Sequence, residues 1–218
     1  MSEISSNNSR IAKNTLLLYF RMFITMVVGL FTSRVILDSL GIEDYGIYNL
    51  VGGFVIMFNV FRAGLISSTQ RFITFDLGTG NMSELRNTFS TSLIIFLFIS
   101  CVIIVIAEGF APWFIQNKLT IPASRLTASM WVFQFSLLTL IFNLISSPYN
   151  ALIIAHEKMG AFAYISIFEV MAKLAVAYLI YISPFDKLIV YAFLLCLVQI
   201  IIRFTEVSQV NKYQLACL

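Results

Sequence analysis

The sequence predicts an all-α, polytopic membrane helix bundle of about six transmembrane helices. Its mean hydropathy is +0.90, and 59% of its 218 residues are hydrophobic whereas 11% are charged. Soluble domains carry about 25% charged and about 45–50% apolar residues, so this chain has too little charge to cover a water-solvated surface. Its 21 phenylalanines suit a surface in contact with lipid. The composition therefore places the chain among the membrane proteins.

Six apolar segments are each long enough to cross a hydrocarbon core of about 30 Å, which takes roughly 17–25 helical residues. Transmembrane β-strands are about ten residues long and alternate in polarity. These segments are longer and apolar on all faces, so we predict that the spans are helical. Polar or breaker-rich stretches such as Gly78-Thr79-Gly80-Asn81 separate them. The predicted spans are 15–37, 46–68, 88–107, 126–147, 161–182 and 187–204.

The positions of Lys and Arg near the helix ends predict the orientation, because these residues are enriched in cytoplasmic loops. With the N-terminus inside, seven flank the cytoplasmic side (Arg10, Lys13, Arg71, Arg86, Lys158, Arg203 and Lys212) and three the other side (Lys118, Arg125 and Lys187). We therefore predict a cytoplasmic N-terminal segment, 1–14, a six-helix transmembrane region, 15–204, and a cytoplasmic tail, 205–218. A cleavable signal peptide is not expected, because the first apolar stretch is too long for one.

Apart from Lys187 and Arg203 at the two ends of the last span, four basic residues and one acidic residue fall inside the predicted spans, namely Arg21, Arg34, Arg62, Lys173 and Glu169. Each costs at least about 2.5 kcal/mol at mid-bilayer, so such residues usually face a bundle interior or a cavity. Arg34 lies near the outer end of its span and can extend to the headgroups. Arg21 and Arg62 each lie about six residues from the cytoplasmic ends of adjacent antiparallel helices. Their matched depth favours a shared site over separate snorkelling to the interface.

Glu169 and Lys173 are spaced i, i+4 and can pair on one face of their helix. The five intramembrane charges sum to +3, which favours an anionic ligand, and the planar donor fork of arginine matches phosphate. An apolar surround with a cationic cavity suits an amphiphilic anion. Neutral polar groups in the spans can hydrogen-bond a sugar, although their commoner role is to hold neighbouring helices together. These groups are Asn59, Gln134, Asn143 and Gln199.

The chain offers little for catalysis or for metal binding, and we predict no catalytic residue, no metal and no cofactor. His156 is the only histidine, and it lies in a polar connection beside Glu157 and Lys158. The acids of the first turn, Asp38, Glu43 and Asp44, are interpreted as capping and solvated groups. The cysteines lack metal-ligand spacing, and no basic stripe suggests nucleic acid.

Several stretches outside the most apolar segments resemble a known family. These stretches are Asn14–Arg21, Thr32–Leu37, Leu40–Asn49, Ser68–Phe72 and Pro148–Met159. Together they are similar to the O-antigen flippase (Wzx-type) branch of the multidrug/oligosaccharidyl-lipid/polysaccharide exporter superfamily. The resemblance extends over nearly the whole chain up to about Arg203, and the stretch Leu40–Asn49 is its most specific part.

The resemblance implies a flippase of the bacterial inner membrane that moves undecaprenyl-pyrophosphate-linked oligosaccharide repeat units outward for O-antigen or capsule synthesis. Members of this family have 12 to 14 helices in two six-helix lobes around a central cavity, so the chain corresponds to the N-terminal lobe of this MATE-like fold. The resemblance therefore implies a truncation in the tail, 205–218. Arg21 and Arg62 match the positive cavity residues of the first two helices. The implied partners are the lipid-linked oligosaccharide, membrane lipids, other glycan-assembly membrane proteins and a second lobe.

Two other functions stay open. A cation-coupled multidrug exporter of the same superfamily needs a carboxylate in the membrane, and Glu169 is the only candidate within the predicted spans. The surplus of positive charge argues against cationic drugs as substrates. A non-transporting membrane partner in a glycan-assembly complex is the second alternative.

Overall fold

The protein is all-helical in a computed structural model that describes residues 2–119, 121–156, 158–184 and 186–214. The α-helices are α1 (Ser2–Ile56), α2 (Asn59–Thr79), α3 (Met82–Asn117), α4 (Leu126–Ile145), α5 (Ser147–Ala155), α6 (Met159–Ile182) and α7 (Lys187–Gln214). A short 3₁₀ turn, Ala123–Arg125, precedes α4. Glu157 and the last four residues of the predicted tail lie outside the described residues.

Within the described residues, five stretches of helix are long and apolar enough to cross a membrane, which confirms the prediction of a multi-pass helical membrane protein. They are Thr15–Gly53, Met82–Ile115, Ala123–Ala155, Met159–Ile182 and Lys187–Val210. The second predicted span, 46–68, is not one uninterrupted helix, because it is divided between the end of α1 and the start of α2.

The interruption is a local tightening of the helix around Met57 and Phe58. The amide of Phe58 donates to the carbonyl of Val55 at 3.2 Å, and the amide of Val60 donates to that of Met57 at 3.4 Å. This i to i−3 pattern is that of a 3₁₀ turn. The pair Gly52-Gly53 lies one turn earlier, where two residues without side chains weaken the helix. Hydropathy counts the segment as one apolar run and cannot detect this break.

The chain reverses direction inside α1 at Gly41, which has φ 80° and ψ 168°. Positive φ is readily available to glycine and costly for other residues. Before Gly41 the chain runs beside α6, so that Arg21 lies at Ser166 and Leu40 packs in the cluster of Ile180. After Gly41 the chain runs beside α4 and α7. The helical stretch Thr15–Gly53 therefore consists of two antiparallel segments that meet at Gly41.

Apolar clusters lie towards both ends of the bundle. The largest joins α3, α4, the second segment of α1 and the start of α7, with Phe96 and Phe133 at its centre. A smaller cluster at the opposite end contains Ile73, Phe89 and Val210. Within lipid, close packing of these side chains rather than exclusion of water holds the helices together. Buried polar residues of α5 and α7 lie between these two clusters.

Several helices continue beyond the predicted spans. Asn81 caps the start of α3 by accepting a hydrogen bond from the amide of Glu84 at 3.4 Å, and α3 then continues through Pro112. The short helix α5 occupies part of the predicted connection after residue 147. The helix α7 continues beyond residue 204, where the last predicted span ends, and Arg203 is buried within the bundle, because its residue exposure is 8%.

Candidate functional site

The polar residues between the apolar clusters form a layer across the bundle, which we call the polar layer. Its members are Arg21, Arg62, Ser147, Ser166, Glu169, Lys173, Gln199, Arg203 and Glu206. They come from α1, α2, α5, α6 and α7. The layer therefore joins helices that are distant in sequence.

The predicted pair on α6 forms, with Lys173 Nζ 2.7 Å from Glu169 Oε1. The same carboxylate oxygen accepts a hydrogen bond from Gln199 Nε2 on α7 at 2.7 Å. Hydrogen bonds to a charged group are worth about 1.5–3 kcal/mol net. Glu169 thus compensates Lys173 and ties α6 to α7.

A second ion pair lies on α7 and was missed in the sequence. Arg203 Nη1 donates to both carboxylate oxygens of Glu206, at 2.7 and 2.8 Å, and Arg203 Nη2 donates to Gln199 Oε1 at 3.1 Å. Both residues are buried. The signal was available, because a base and an acid at i, i+3 at the end of an apolar run can pair on one helix face.

Arg62 is the basic residue that α2 contributes. Its Nε donates to Ser147 Oγ at 3.2 Å, where α5 begins. Its two terminal nitrogens make no hydrogen bond or ion pair with any residue that the structure describes. Arg203, Glu206 and Glu169 lie within electrostatic reach of its guanidinium.

Arg21 lies against α6. Its Nη1 donates to Ser166 Oγ at 3.3 Å, and its guanidinium carbon lies 4.5 Å from the centroid of the Phe162 ring. A cation over an aromatic face gains about 0.5–2 kcal/mol, depending on desolvation. Arg21 Nε is buried and has no hydrogen-bond partner within the described ranges. Among the described residues, no carboxylate pairs with Arg21.

The contacts place Arg21 and Arg62 at nearly the same depth. The hydrogen bond between Glu169 and Gln199 marks a common level of the antiparallel helices α6 and α7. Ser166, the partner of Arg21, precedes Glu169 by three residues, or about 4.5 Å. Arg203, the neighbour of Arg62, follows Gln199 by four residues, or about 6 Å in the same direction. The depth counted from the predicted span ends agrees with this arrangement.

A cavity of about 180 Å³ adjoins the polar layer. Its lining includes Asn59, Asn143, Lys173 and Gln199, so the structure brings together four of the polar residues predicted from the spans. Pockets that bury drug-sized ligands measure about 300–1,000 Å³. This cavity therefore has room for a phosphate group or a single ring and not for a whole lipid-linked oligosaccharide.

Neither Arg21 nor Arg62 is among the residues that line this cavity. Arg62 follows Asn59 by three residues, which places it about one helical turn beyond the cavity wall. Glu169 reaches the cavity through Lys173 and Gln199, to which it is bonded. The cavity and Arg62 are therefore neighbouring parts of one polar region.

Two predicted residues lie elsewhere. Arg34 is exposed and follows Arg21 by 13 residues, or about 20 Å along the helix. Gln134 is exposed and donates to Glu108 Oε2 on α3 at 3.2 Å. The structure thus separates both residues from the polar layer. Within the described ranges, no group of three His, Cys, Asp or Glu residues is placed to hold a metal ion.

A separate ionic cluster fastens the turn at Gly41. Arg125, at the start of α4, lies 3.0 Å from Asp44 Oδ2 and 2.8 Å from Asp186 Oδ2. Lys187 Nζ donates to the carbonyl of Ser39 at 3.2 Å. Asp44 is buried, so its interpretation as a solvated turn residue was wrong. The sequence shows that Asp44 lies in a short turn, but it does not show that Asp44 pairs with Arg125, which lies 81 positions away.

The ion pairs determine which charges remain. Glu169 compensates Lys173, and Glu206 compensates Arg203. Four cations less two carboxylates leave a net charge of +2 in the polar layer, carried by Arg21 and Arg62.

Comparison with known protein families, curated proteins and solved structures finds no match for this chain.

Proposed function

We propose that this chain is a six-helix, MATE-like lobe of a flippase that translocates undecaprenyl-pyrophosphate-linked oligosaccharide repeat units across the bacterial inner membrane. Arg21 and Arg62 bind the pyrophosphate, and both chain termini lie in the cytoplasm. The observation that carries this proposal is the presence of two guanidinium groups at matched depth with no carboxylate partner among the described residues.

The free-energy cost of placing two unpaired arginines within membrane spans supports an anionic ligand. Each unpaired arginine within a span costs at least about 2.5 kcal/mol, and the chain already supplies carboxylates to its other two cations in the polar layer. A pyrophosphate diester carries two negative charges, which match the charge of +2. Two guanidinium forks can each bind one phosphoryl group through paired hydrogen bonds. A cationic drug would be repelled by the same field.

The cavity beside Arg62 supports a sugar next to the pyrophosphate. Asn59, Asn143 and Gln199 present amides at its wall, and amides can both donate to and accept from sugar hydroxyls. On α2 the polar residues Ser67, Ser68 and Arg71 are exposed, and their side chains suit the wall of a hydrated path. The same helix also exposes the apolar residues Val60, Phe72 and Phe75.

Translocation in proteoliposomes tests this proposal. A fluorescent oligosaccharide linked to a polyprenyl pyrophosphate is placed in both leaflets, and an impermeant quencher reports the fraction that becomes accessible. The double variant Arg21→Ala, Arg62→Ala should lose most of the translocation rate at unchanged protein level. Arg34→Ala is the matched control, because Arg34 lies on α1 outside the polar layer, and it should keep the rate. Equal rates in all three proteins would refute the assignment.

A further inference from the structure

The guanidinium of Arg203 lies in the polar layer and is already paired with an anionic group of the protein itself. Its Nη1 contacts both oxygens of the Glu206 carboxylate, and its Nη2 contacts Gln199. Arg203 Nε is buried and has no hydrogen-bond partner in the part of the chain that the structure describes. A paired guanidinium fork is the group that binds phosphoryl oxygens best. Glu206 therefore holds a third potential phosphate ligand next to Arg62.

The surroundings of Glu206 contain charges from three helices. Arg203 lies on its own helix, Glu169 belongs to α6 and Arg62 belongs to α2. Glu169 is in turn neutralised by Lys173. Glu206 is 3% exposed, so water screens these interactions weakly and they act at an effective dielectric constant far below that of water.

Binding of an anion at Arg62 would place new negative charge close to the Glu206 carboxylate. Like charges in a buried site favour protonation of the carboxylate. Protonation in turn removes the charge that holds Arg203, so that this guanidinium becomes free to bind the anion. Binding of the anion and of the proton thus strengthen each other, and this coupling is reciprocal.

We propose that Glu206 takes up one proton from solvent when an anion binds at Arg62, and that the Arg203 guanidinium passes from Glu206 to the anion. The proton adds to a carboxylate oxygen of Glu206, and no other bond changes. This inference rests on the proposed function, because it needs the anion at Arg62. It assigns to Glu206 the regulation of affinity and makes Arg203 a third ligand of the phosphate.

Calorimetric titration of the purified chain in nanodiscs tests the inference. The probe is P1,P2-dimethyl pyrophosphate, a diester whose charge is constant over the working range. One linked proton changes affinity by up to about tenfold per pH unit. The affinity of the wild-type chain should therefore rise by at least about tenfold from about pH 8 to about pH 5.5. Titration in buffers of different ionisation enthalpy should show the uptake of one proton.

Glu206→Gln mimics the protonated carboxyl. It should bind the probe at about pH 8 as tightly as the wild type does at about pH 5.5, with no proton uptake. Glu108→Gln is the matched control, because Glu108 on α3 accepts a hydrogen bond from Gln134 outside the polar layer, and it should keep the uptake. Glu206→Asp retains a titrating group with a shorter reach, so it should keep the uptake and bind more tightly at the higher pH. This second variant serves if Glu206→Gln does not fold.

The outcomes separate the two proposals. Proton uptake that persists in Glu206→Gln, or that is absent from the wild type while the probe still binds, overturns the role of Glu206 and leaves the anion site intact. Binding of the probe that is undetectable in every variant at every pH contradicts the proposed function and the inference together.

Discussion

Shortening the side chain of Glu206 to alanine should lower the free energy of unfolding more than any other single substitution in the polar layer. Glu206→Ala removes both contacts of the carboxylate with Arg203, at 2.7 and 2.8 Å, and leaves a buried guanidinium with one remaining bond to Gln199. Removing one partner of a buried pair costs about 3–5 kcal/mol. Because Arg203 is 8% exposed, little of this loss can be recovered by hydration, and we expect a value in that range.

Equilibrium unfolding in mixed micelles, followed by tryptophan fluorescence, measures this loss. Replacement of both partners in the double variant Arg203→Met, Glu206→Leu should restore stability to within about 1 kcal/mol of wild type, because apolar side chains of similar volume often substitute for a buried pair without loss. Glu206→Gln should lie between these two proteins. A loss below about 1 kcal/mol for Glu206→Ala would refute the reasoning, because it would show that the pair is solvated.

Three further results are expected. Gly41→Ala should destabilise by about 1–2 kcal/mol, because φ 80° is costly with a β-carbon, whereas Gly46→Ala inside the helix should be neutral or stabilising; equal effects would contradict the reversal at Gly41. Burial and then the charge of Lys158 lower the pKa of His156 below 6.5, so its contribution to stability is full above about pH 6.5 and is lost as the pH falls through the folded-state pKa. NMR titration of His156 measures its pKa. Lys158→Gln should bring this pKa closer to 6.5, and a wild-type pKa above 6.5 would contradict the prediction. A reporter fused after Gly80 should be active only if it works in the cytoplasm, and periplasmic activity would overturn the predicted orientation.

Local patterns in the sequence predicted local features of the structure. The pair Glu169 and Lys173 follows from helical periodicity alone, since residues four apart share a face. The matched depth of Arg21 and Arg62 follows from counting along spans whose ends are marked by polar residues. The reversal at Gly41 lies in the polar stretch that was expected to separate the first two spans.

Features that depend on packing between distant helices were not predictable in the same way. The pairing of Asp44 with Arg125 joins residues 81 positions apart. The pairing of Arg203 with Glu206 was missed because the apolar run ends nearby and Glu206 fell in the predicted tail, whereas α7 continues and both residues are buried. The sequence therefore marks which residues are costly in a membrane, and the fold decides which of them are compensated.

The discrimination between a diphosphate and a monophosphate tests the shared site of Arg21 and Arg62 most directly. The affinities of the wild-type chain in nanodiscs for P1,P2-dimethyl pyrophosphate and for dimethyl phosphate are compared with those of Arg21→Ala, Arg62→Ala and Arg34→Ala. A charge-assisted hydrogen bond is worth about 1.5–3 kcal/mol, so the wild type should prefer the diphosphate by about 10- to 100-fold. Loss of either Arg21 or Arg62 should abolish most of this preference, and Arg34→Ala should retain it. A preference that survives in both polar-layer variants would contradict the account.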